Sequence, residues 1–333
     1  MTARLCAALL ALATATAPSG LTASMVRPAE QTFLTFPEWY LVYSPAEFAE
    51  FTRDHAPDAF PFWGELGQLW GSYAAVTRAT VGRYPTNIGY HVMILVIATS
   101  TTVEYGIRSA YETLVGRFFA LTRRGCMTDE ERFGAEAAQA YVDFIRVRPW
   151  YEFDFWSRFV GLWRTTSLLG PDLPRKWERK YALTTEYLVK AAYGWLIEKA
   201  THAAYDPAED VTAVELDRLP ADMRLLPTEP RIFSTTEGTW VKLPRYDAFK
   251  DVAVQLAQQG VQIKEIAGNR STILLSVIGP VGFNPPGDTL FRQPILTRPG
   301  RERVAFTIPV PQLSNVLRIL AAPGVQLEHI YDY

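Results

Sequence analysis

The chain reads Gly260-Val261-Gln262-Ile263-Lys264-Glu265-Ile266 and repeats this pattern near its end as Gly324-Val325-Gln326-Leu327-Glu328-His329-Ile330. Each copy follows a strand pattern, a turn marked by proline and a helix with an apolar stripe. Within the first copy, apolar and polar side chains alternate, which indicates a strand with one buried face. The C-terminal part of the chain therefore contains two β-α-β units in tandem.

Two such units with right-handed crossovers form an antiparallel sheet with both helices on one face. We therefore predict a domain over residues 231–333 that resembles the ferredoxin-like superfold, in pattern rather than in sequence. Residues 261–266 and 272–278 are expected to pair in it as a hairpin. The superfold hosts many functions. Because the chain has no Cys-x-x-Cys motif and no aromatic pair for RNA on the central strands, a regulatory or interaction module remains.

The region before this domain has a different composition. Residues 27–205 are rich in aromatic side chains and in helical spacing, and residues 206–230 read as a linker with one strand at 211–216. The predicted class is therefore α+β, with a helical, membrane-associated N-terminal part and an α/β plait at the C-terminus.

Composition limits the function further. The chain has 333 residues, 48% of them hydrophobic, which excludes wholesale disorder, and a net charge of -2, which gives no cationic field for nucleic acid. Its two cysteines exclude an all-cysteine metal site, and no two of its four histidines stand at ligand spacing. No Walker loop, dinucleotide fingerprint or nucleophile elbow occurs, so neither a metal nor a cofactor is expected.

The N-terminal residues 1–26 predict a targeting segment. Arg4 precedes an apolar run and then small residues before Pro18, which is the pattern of a secretory signal. A retained membrane anchor over residues 5–26 is the alternative, although its alanines and threonines are only weakly apolar. An ordinary N-terminal helix is the third interpretation.

Residues 88–107 are the strongest internal candidate for a transmembrane helix. Their centre is uncharged, and Tyr90 and Tyr105 flank it as interfacial aromatics do. The alternative is a core helix of a globular domain. Because arginines accumulate after Arg108, that side of the segment is expected in the cytoplasm. Glu104 becomes a candidate for function, since an ionisable group near membrane depth is often functional.

The densest aromatic stretch covers residues 148–156 and contains Arg148, Glu152 and Asp154. Three interpretations stay open for it: an interfacial helix, a packed aromatic core, and a ligand pocket that uses the two carboxylates. Tryptophan and tyrosine suit a membrane boundary because each combines an apolar body with one polar group. We therefore name Glu104, Arg148, Glu152 and Asp154 as candidate ligand-binding residues, and no catalytic residue.

Three local signals concern helix ends. Ser44 before Pro45 predicts a helix start, and Thr128 with Glu131 predicts a capping box that opens a helix up to Arg146. The basic run at residues 175–180 is expected either to be a solvated helix end or to attract anionic lipid.

These features predict a membrane-associated binding or scaffold protein, with the bacterial inner membrane as the expected location. Its partners would be membrane lipid and a protein bound by the C-terminal domain, and nucleic acid is not expected. The alternative is a membrane-bound enzyme with a site in the aromatic and carboxylate region near residues 143–154. A secreted protein released by signal cleavage is a third hypothesis.

Overall fold

The computed structural model describes residues 31–125, 127–204, 211–222, 224, 233–234 and 238–331. The fold is mixed α+β, and contacts divide the chain into two units. The helical unit consists of Leu34–Ala208 and Phe291–Arg303, and the sheet unit of Met1–Phe33, Glu209–Leu290 and Val304–Tyr333. The predicted signal or anchor at residues 1–26 lies outside the described residues.

Helices make up most of the part of the chain that precedes the sheets. The α-helices there are α1 (Gln31–Phe51), α2 (Phe62–Thr80), α3 (Ile88–Tyr111), α4 (Arg117–Ala120), α5 (Asp129–Ile145), α6 (Phe155–Thr165) and α7 (Leu173–Ala204). A π-helical turn, Glu112–Gly116, joins α3 to α4, and 3-10 turns occupy Pro57–Ala59 and Trp150–Glu152.

One of the two predicted helix starts is confirmed and the other is wrong. Helix α5 begins with the capping box, in which the Thr128 side chain accepts from the Glu131 N–H and the Glu131 side chain accepts from the Thr128 N–H. Helix α1, in contrast, runs straight through Pro45. The Ser44 hydroxyl does not cap a helix, because it lies 2.9 Å from the Tyr105 hydroxyl in the buried interior. Tertiary packing has overridden the local signal.

The predicted transmembrane segment at residues 88–107 needs a correction. It is helical, as part of α3, but none of the described helices is long and apolar enough to cross a membrane. Its apolar run is interrupted by polar side chains at residues 99–102, and Glu104 follows them. On its buried side α3 packs against α2, where Trp70 Nε1 donates to the Thr102 hydroxyl over 3.0 Å.

The strands form two four-stranded sheets, and most of their residues belong to the sheet unit. The first has the order β2-β3-β1-β4, from β1 (Val211–Leu216), β2 (Phe233–Ser234), β3 (Thr239–Pro244) and β4 (Ile263–Ile266). The second has the order β6-β7-β5-β8, from β5 (Thr272–Pro280), β6 (Asp288–Pro294), β7 (Arg301–Pro309) and β8 (Gln326–Ile330). Helix α8 (Asp247–Gln258) connects β3 to β4, and α9 (Leu313–Leu320) connects β7 to β8.

The two sheets are built by one strand order used twice. In the first sheet, α8 joins β3 to β4, which lie on either side of β1, and β1 pairs antiparallel with both of them. In the second sheet, α9 joins β7 to β8, which lie on either side of β5. The repeat predicted from the sequence is therefore present in the structure, and it extends over more strands than the two β-α-β units. The single plait is not confirmed, and the predicted hairpin between residues 261–266 and 272–278 is wrong, because β4 and β5 belong to different sheets.

A short turn directs the chain from one sheet to the other. Ala267 and Gly268 both have positive φ, 48° and 85°, directly after β4. The buried side chains of both sheets and of α8 and α9 then form one hydrophobic core, which includes Leu216, Phe249, Leu275, Phe306 and Leu317. The sheet unit thus folds around a shared interior.

Candidate functional site

Helix α3 and the first residue of the π-helical turn after it are joined to α7 by a row of ion pairs, here called the ion ladder. Glu104 lies 3.0 Å from Lys190, Arg108 lies 3.5 Å from Glu186, and Glu112 lies 2.8 Å from Arg179. The α3 residues increase in number while their α7 partners decrease, so the two helices run antiparallel. Charges of alternating sign on α3 and at the start of the π turn meet complementary charges on α7 and set the register of the pair.

The electrostatics of the ladder follow from this pairing. Burial acts to raise the pKa of Glu186, but the positive charges of Arg108 and Lys190 outweigh it and hold that pKa at about 2. Burial likewise acts to lower the pKa of Lys190, and the carboxylates of Glu104 and Glu186 raise it above its usual value. Both partners therefore stay charged at neutral pH.

The π-helical turn begins at the buried end of the ion ladder, where Glu112 pairs with Arg179. A π turn shifts the hydrogen-bond register, and here the carbonyl of Gly116 accepts from Nη1 of Arg175 at 2.8 Å. Position 116 is also restricted in volume, because a Cβ atom there would clash with the Glu112 carboxylate. That carboxylate is held in place by Nη1 and Nη2 of Arg179 at 2.8 and 3.1 Å.

A buried group of charged residues, here called the ionic cluster, continues from this point. Arg175 Nη2 lies 2.9 Å from Glu131 and Lys176 Nζ lies 3.0 Å from Glu130. The four carboxylates and four cations balance, which is what allows them to leave water together. The members are Glu112, Glu130, Glu131, Arg175, Lys176, Glu178, Arg179 and Lys180, all of them buried.

The basic run at residues 175–180 is therefore neither a solvated helix end nor a lipid contact. Arg175, Lys176, Arg179 and Lys180 are all less than 5% exposed, so the prediction for this run is wrong. Their charges are compensated by carboxylates from α5 and from the π turn, distant in sequence. In Glu131, burial acts to raise the pKa, and the Thr128 N–H and Arg175 lower it below its usual value.

The ionic cluster also holds two chain segments in place, the one around α4 and the loop between α6 and α7. Lys180 Nζ donates to the carbonyl of Thr166 at 3.0 Å, where the loop after α6 begins. The Arg124 N–H, just after α4, donates to Oδ1 of Asp172 in the same loop at 2.9 Å. The segment at the end of α4 and the loop between α6 and α7 are therefore neighbours, and both rest on the same buried charges.

These two segments carry an unusual set of exposed apolar side chains, here called the apolar tip. Leu121 is 83% exposed, and Leu114 and Leu169 are each 75% exposed. Trp177 joins the set from α7, since its Nε1 donates to the carbonyl of Leu168 at 3.1 Å. The apolar tip consists of Leu114, Phe118, Leu121, Leu168, Leu169 and Trp177.

The exposed apolar surface of the described residues is concentrated in the helical unit. Among the sheet-unit residues that the structure describes, only Leu219, Val281 and Ile319 are large exposed hydrophobic residues. On α3, exposed Ile88, Val92, Val96, Val103 and Ile107 recur at helical spacing and lead towards Leu114. Patches of this kind mark interaction sites more often than plain surface.

The four candidate ligand-binding residues do not form one site. Glu104 belongs to the ion ladder, and Asp154 caps α6 by accepting from the Ser157 N–H at 2.9 Å. The hydrogen bonds from Ser157 lower the pKa of Asp154. Arg148 and Glu152 are exposed, and no hydrogen bond or ion pair links any two of the four.

The aromatic stretch at residues 148–156 divides between core and surface. Phe153 and Phe155 are buried and pack with Leu162 and Tyr187. Trp156, on the same helix as Phe155, is exposed, and so is Trp163. An open groove of about 450 Å³ includes none of the four candidate residues. It is lined by Arg53, Met127, Arg132, Ala135, Glu136, Gln139, Ala140 and Asp143.

A second buried carboxyl centre, which the sequence does not reveal, lies between α1, α2 and α3. The Tyr40 hydroxyl donates to Oε2 of Glu65 at 2.9 Å, and Glu47 pairs with Arg303 at 2.8 Å. Glu65 is fully buried, and burial together with the charge of Glu47 raises its pKa from 4.5 to about 7.

Comparison with protein-family models, curated proteins and solved structures gives no match to this chain.

Proposed function

We propose that this chain is a binding or scaffold protein that attaches to a membrane surface through the apolar tip. The observation that carries this proposal is the exposure of Phe118, Leu121 and Leu169, which are 64%, 83% and 75% exposed although they are large and apolar. Side chains of this kind suit an interfacial attachment, in which apolar groups enter the headgroup region without a spanning helix. The expected membrane is the bacterial inner membrane.

The energies involved favour reversible attachment. Complete burial of a leucine or phenylalanine side chain contributes about 1.5–3 kcal/mol. Three such side chains, Phe118, Leu121 and Leu169, together supply roughly 5–9 kcal/mol if all are buried. Part of this is offset by the loss of translational and rotational freedom on binding.

The ionic cluster supports the proposal by making the tip rigid. Arg175 holds the carbonyl of Gly116 and Lys180 holds the carbonyl of Thr166, so both tip segments are fixed before binding. A pre-organised surface loses less conformational entropy on binding than a mobile one.

The sheet unit would then be the module that binds a protein partner. We propose that each of its halves, one helix over an antiparallel sheet, is a variant of the ferredoxin-like plait. That superfold hosts interaction and regulatory modules among many others. Pull-down with the full chain, compared with a variant of the exposed α9 residue Ile319→Ser, tests this role.

Flotation with phospholipid vesicles tests the attachment. We expect the full chain to float with vesicles and the double variant Phe118→Ser/Leu121→Ser to stay at the bottom of the gradient. Both side chains are exposed, so the variant should retain its helical circular dichroism and melting temperature. The control Ile319→Ser removes an exposed apolar side chain of the sheet unit and should float normally. Equal flotation of both variants would contradict the proposal.

A further inference from the structure

We infer that the apolar tip recognises anionic phospholipid headgroups in particular, through the guanidinium groups of Arg117, Arg124 and Arg164. This inference rests on the proposed attachment and adds the class of lipid. Arg117 and Arg124 lie in the segment that carries Phe118 and Leu121, and Arg164 lies in the last turn of α6, just before the loop with Leu169.

The three arginines differ from the other basic residues near the tip. Arg175, Lys176, Arg179 and Lys180 are buried and compensated by carboxylates. Arg117, Arg124 and Arg164 are exposed, and no carboxylate of the described chain lies within ion-pair distance of their guanidinium groups.

The balance of charge at the tip therefore favours anions. The loop between α6 and α7 also carries the half-buried Asp172, whose Oδ1 accepts from the Arg124 N–H. Asp129 is paired with both Arg132 and Lys176. An excess of positive charge remains beside apolar side chains that would enter the headgroup layer.

The chemistry of the two kinds of side chain fits one ligand. A guanidinium group donates several hydrogen bonds in a plane and matches the oxygens of a phosphate group. Leucine and phenylalanine beside it enter the layer just below the phosphates. A phospholipid presents a phosphate group and acyl chains together, which neither a free phosphate nor an apolar peptide does.

The test compares vesicles of phosphatidylcholine alone with vesicles that also contain phosphatidylglycerol. We expect the anionic lipid to strengthen binding of the full chain, and the triple variant Arg117→Gln/Arg124→Gln/Arg164→Gln to lose that gain. Each arginine near an anionic surface contributes about fivefold in affinity, so the triple variant should bind anionic vesicles on the order of a hundredfold more weakly. Added salt should reduce the difference, because it screens exposed charges.

The matched control is Arg78→Gln/Arg83→Gln. Both residues are exposed and unpaired in the described chain, but they lie before the start of α3, at the opposite end of that helix from the tip. This control should keep the full preference for phosphatidylglycerol. A triple variant with an unchanged preference, or equal binding of both vesicle types by the full chain, overturns the inference and leaves the attachment intact. Binding to neither vesicle overturns both, as does a tip that instead mediates dimerisation in light scattering.

Discussion

At the scale of single residues, Glu65 is an acid whose pKa is raised for plain physical causes. It is fully buried beside Glu47, and only one of the two carboxylates has Arg303 as a salt-bridge partner. Burial and the Glu47 charge raise its pKa to about 7, so it carries a proton through part of the physiological range. The centre is closed, with Tyr40 and Ser44 around it, which favours a structural role over a catalytic one.

This pKa predicts how stability depends on pH. A carboxyl group with a higher pKa in the folded state stabilises the fold fully below its unfolded pKa of 4.5, and that stabilisation is lost as the pH rises to about 7. The helical unit should lose about 3 kcal/mol over this range. Glu65→Gln should remove the dependence, measured by urea unfolding at several pH values. All tryptophans except Trp240 report on the helical part, so their fluorescence follows this unit.

The exposed carboxylate Glu50, on α1, provides the control. Glu50→Gln should leave the slope between pH 4.5 and 7 as it is in the unchanged protein. A slope that survives in Glu65→Gln would show that another group titrates there.

Gly116 gives a second prediction at this scale. In Gly116→Ala the new methyl group displaces the Glu112 carboxylate from Arg179, which leaves buried charges poorly paired. We expect a loss of about 1–3 kcal/mol in the free energy of unfolding. Gly71→Ala in α2 is the matched change, since its Cβ meets open space, and it should stabilise by about 1 kcal/mol through helix propensity. Similar effects at both positions would contradict this account of the π turn.

At the scale of elements, the sequence predicts what local groups decide. The capping box at Thr128 and Glu131 starts α5 because both partners lie within one turn. The prediction for the basic run at 175–180 is wrong because its partners Glu112, Glu130 and Glu131 come from other helical segments. One signal was available: the acidic first turn of α5 and the basic run have opposite charges in similar number.

The ion pairs that α7 makes in the ionic cluster and in the ion ladder should differ in their contribution to stability. Arg175→Met leaves the buried Glu131 with only the partly exposed Arg123 as a cation and should cost about 3–5 kcal/mol. Glu104→Gln, at the half-exposed end of the ladder, should cost less than about 1 kcal/mol, since such pairs are screened by water. Chemical denaturation of both variants measures the difference, and equal costs would mean that the cluster is hydrated.

At the scale of the whole molecule, the sequence predicts the α+β class and the internal repeat. It does not predict two sheets, because the central strands β1 and β5 precede the matched segments and have no similar repeat in sequence. The predicted span at residues 88–107 fails for a related reason. Apolar residues such as Val92 and Val96 indicate that a surface is apolar, but not whether the helix crosses a bilayer or lies beside one.

The central claim is that the apolar tip enters the lipid headgroup layer, and its position can be measured directly. The measurement is the fluorescence of an environment-sensitive label on Leu121→Cys, in a chain with Cys6→Ser and Cys126→Ser, with and without vesicles containing brominated lipid. The matched label is placed at Ile319→Cys in the sheet unit. We predict that vesicles shift the emission at position 121 to the blue and that bromine quenches it, while position 319 changes little. An emission at position 121 that vesicles leave unchanged would contradict the account.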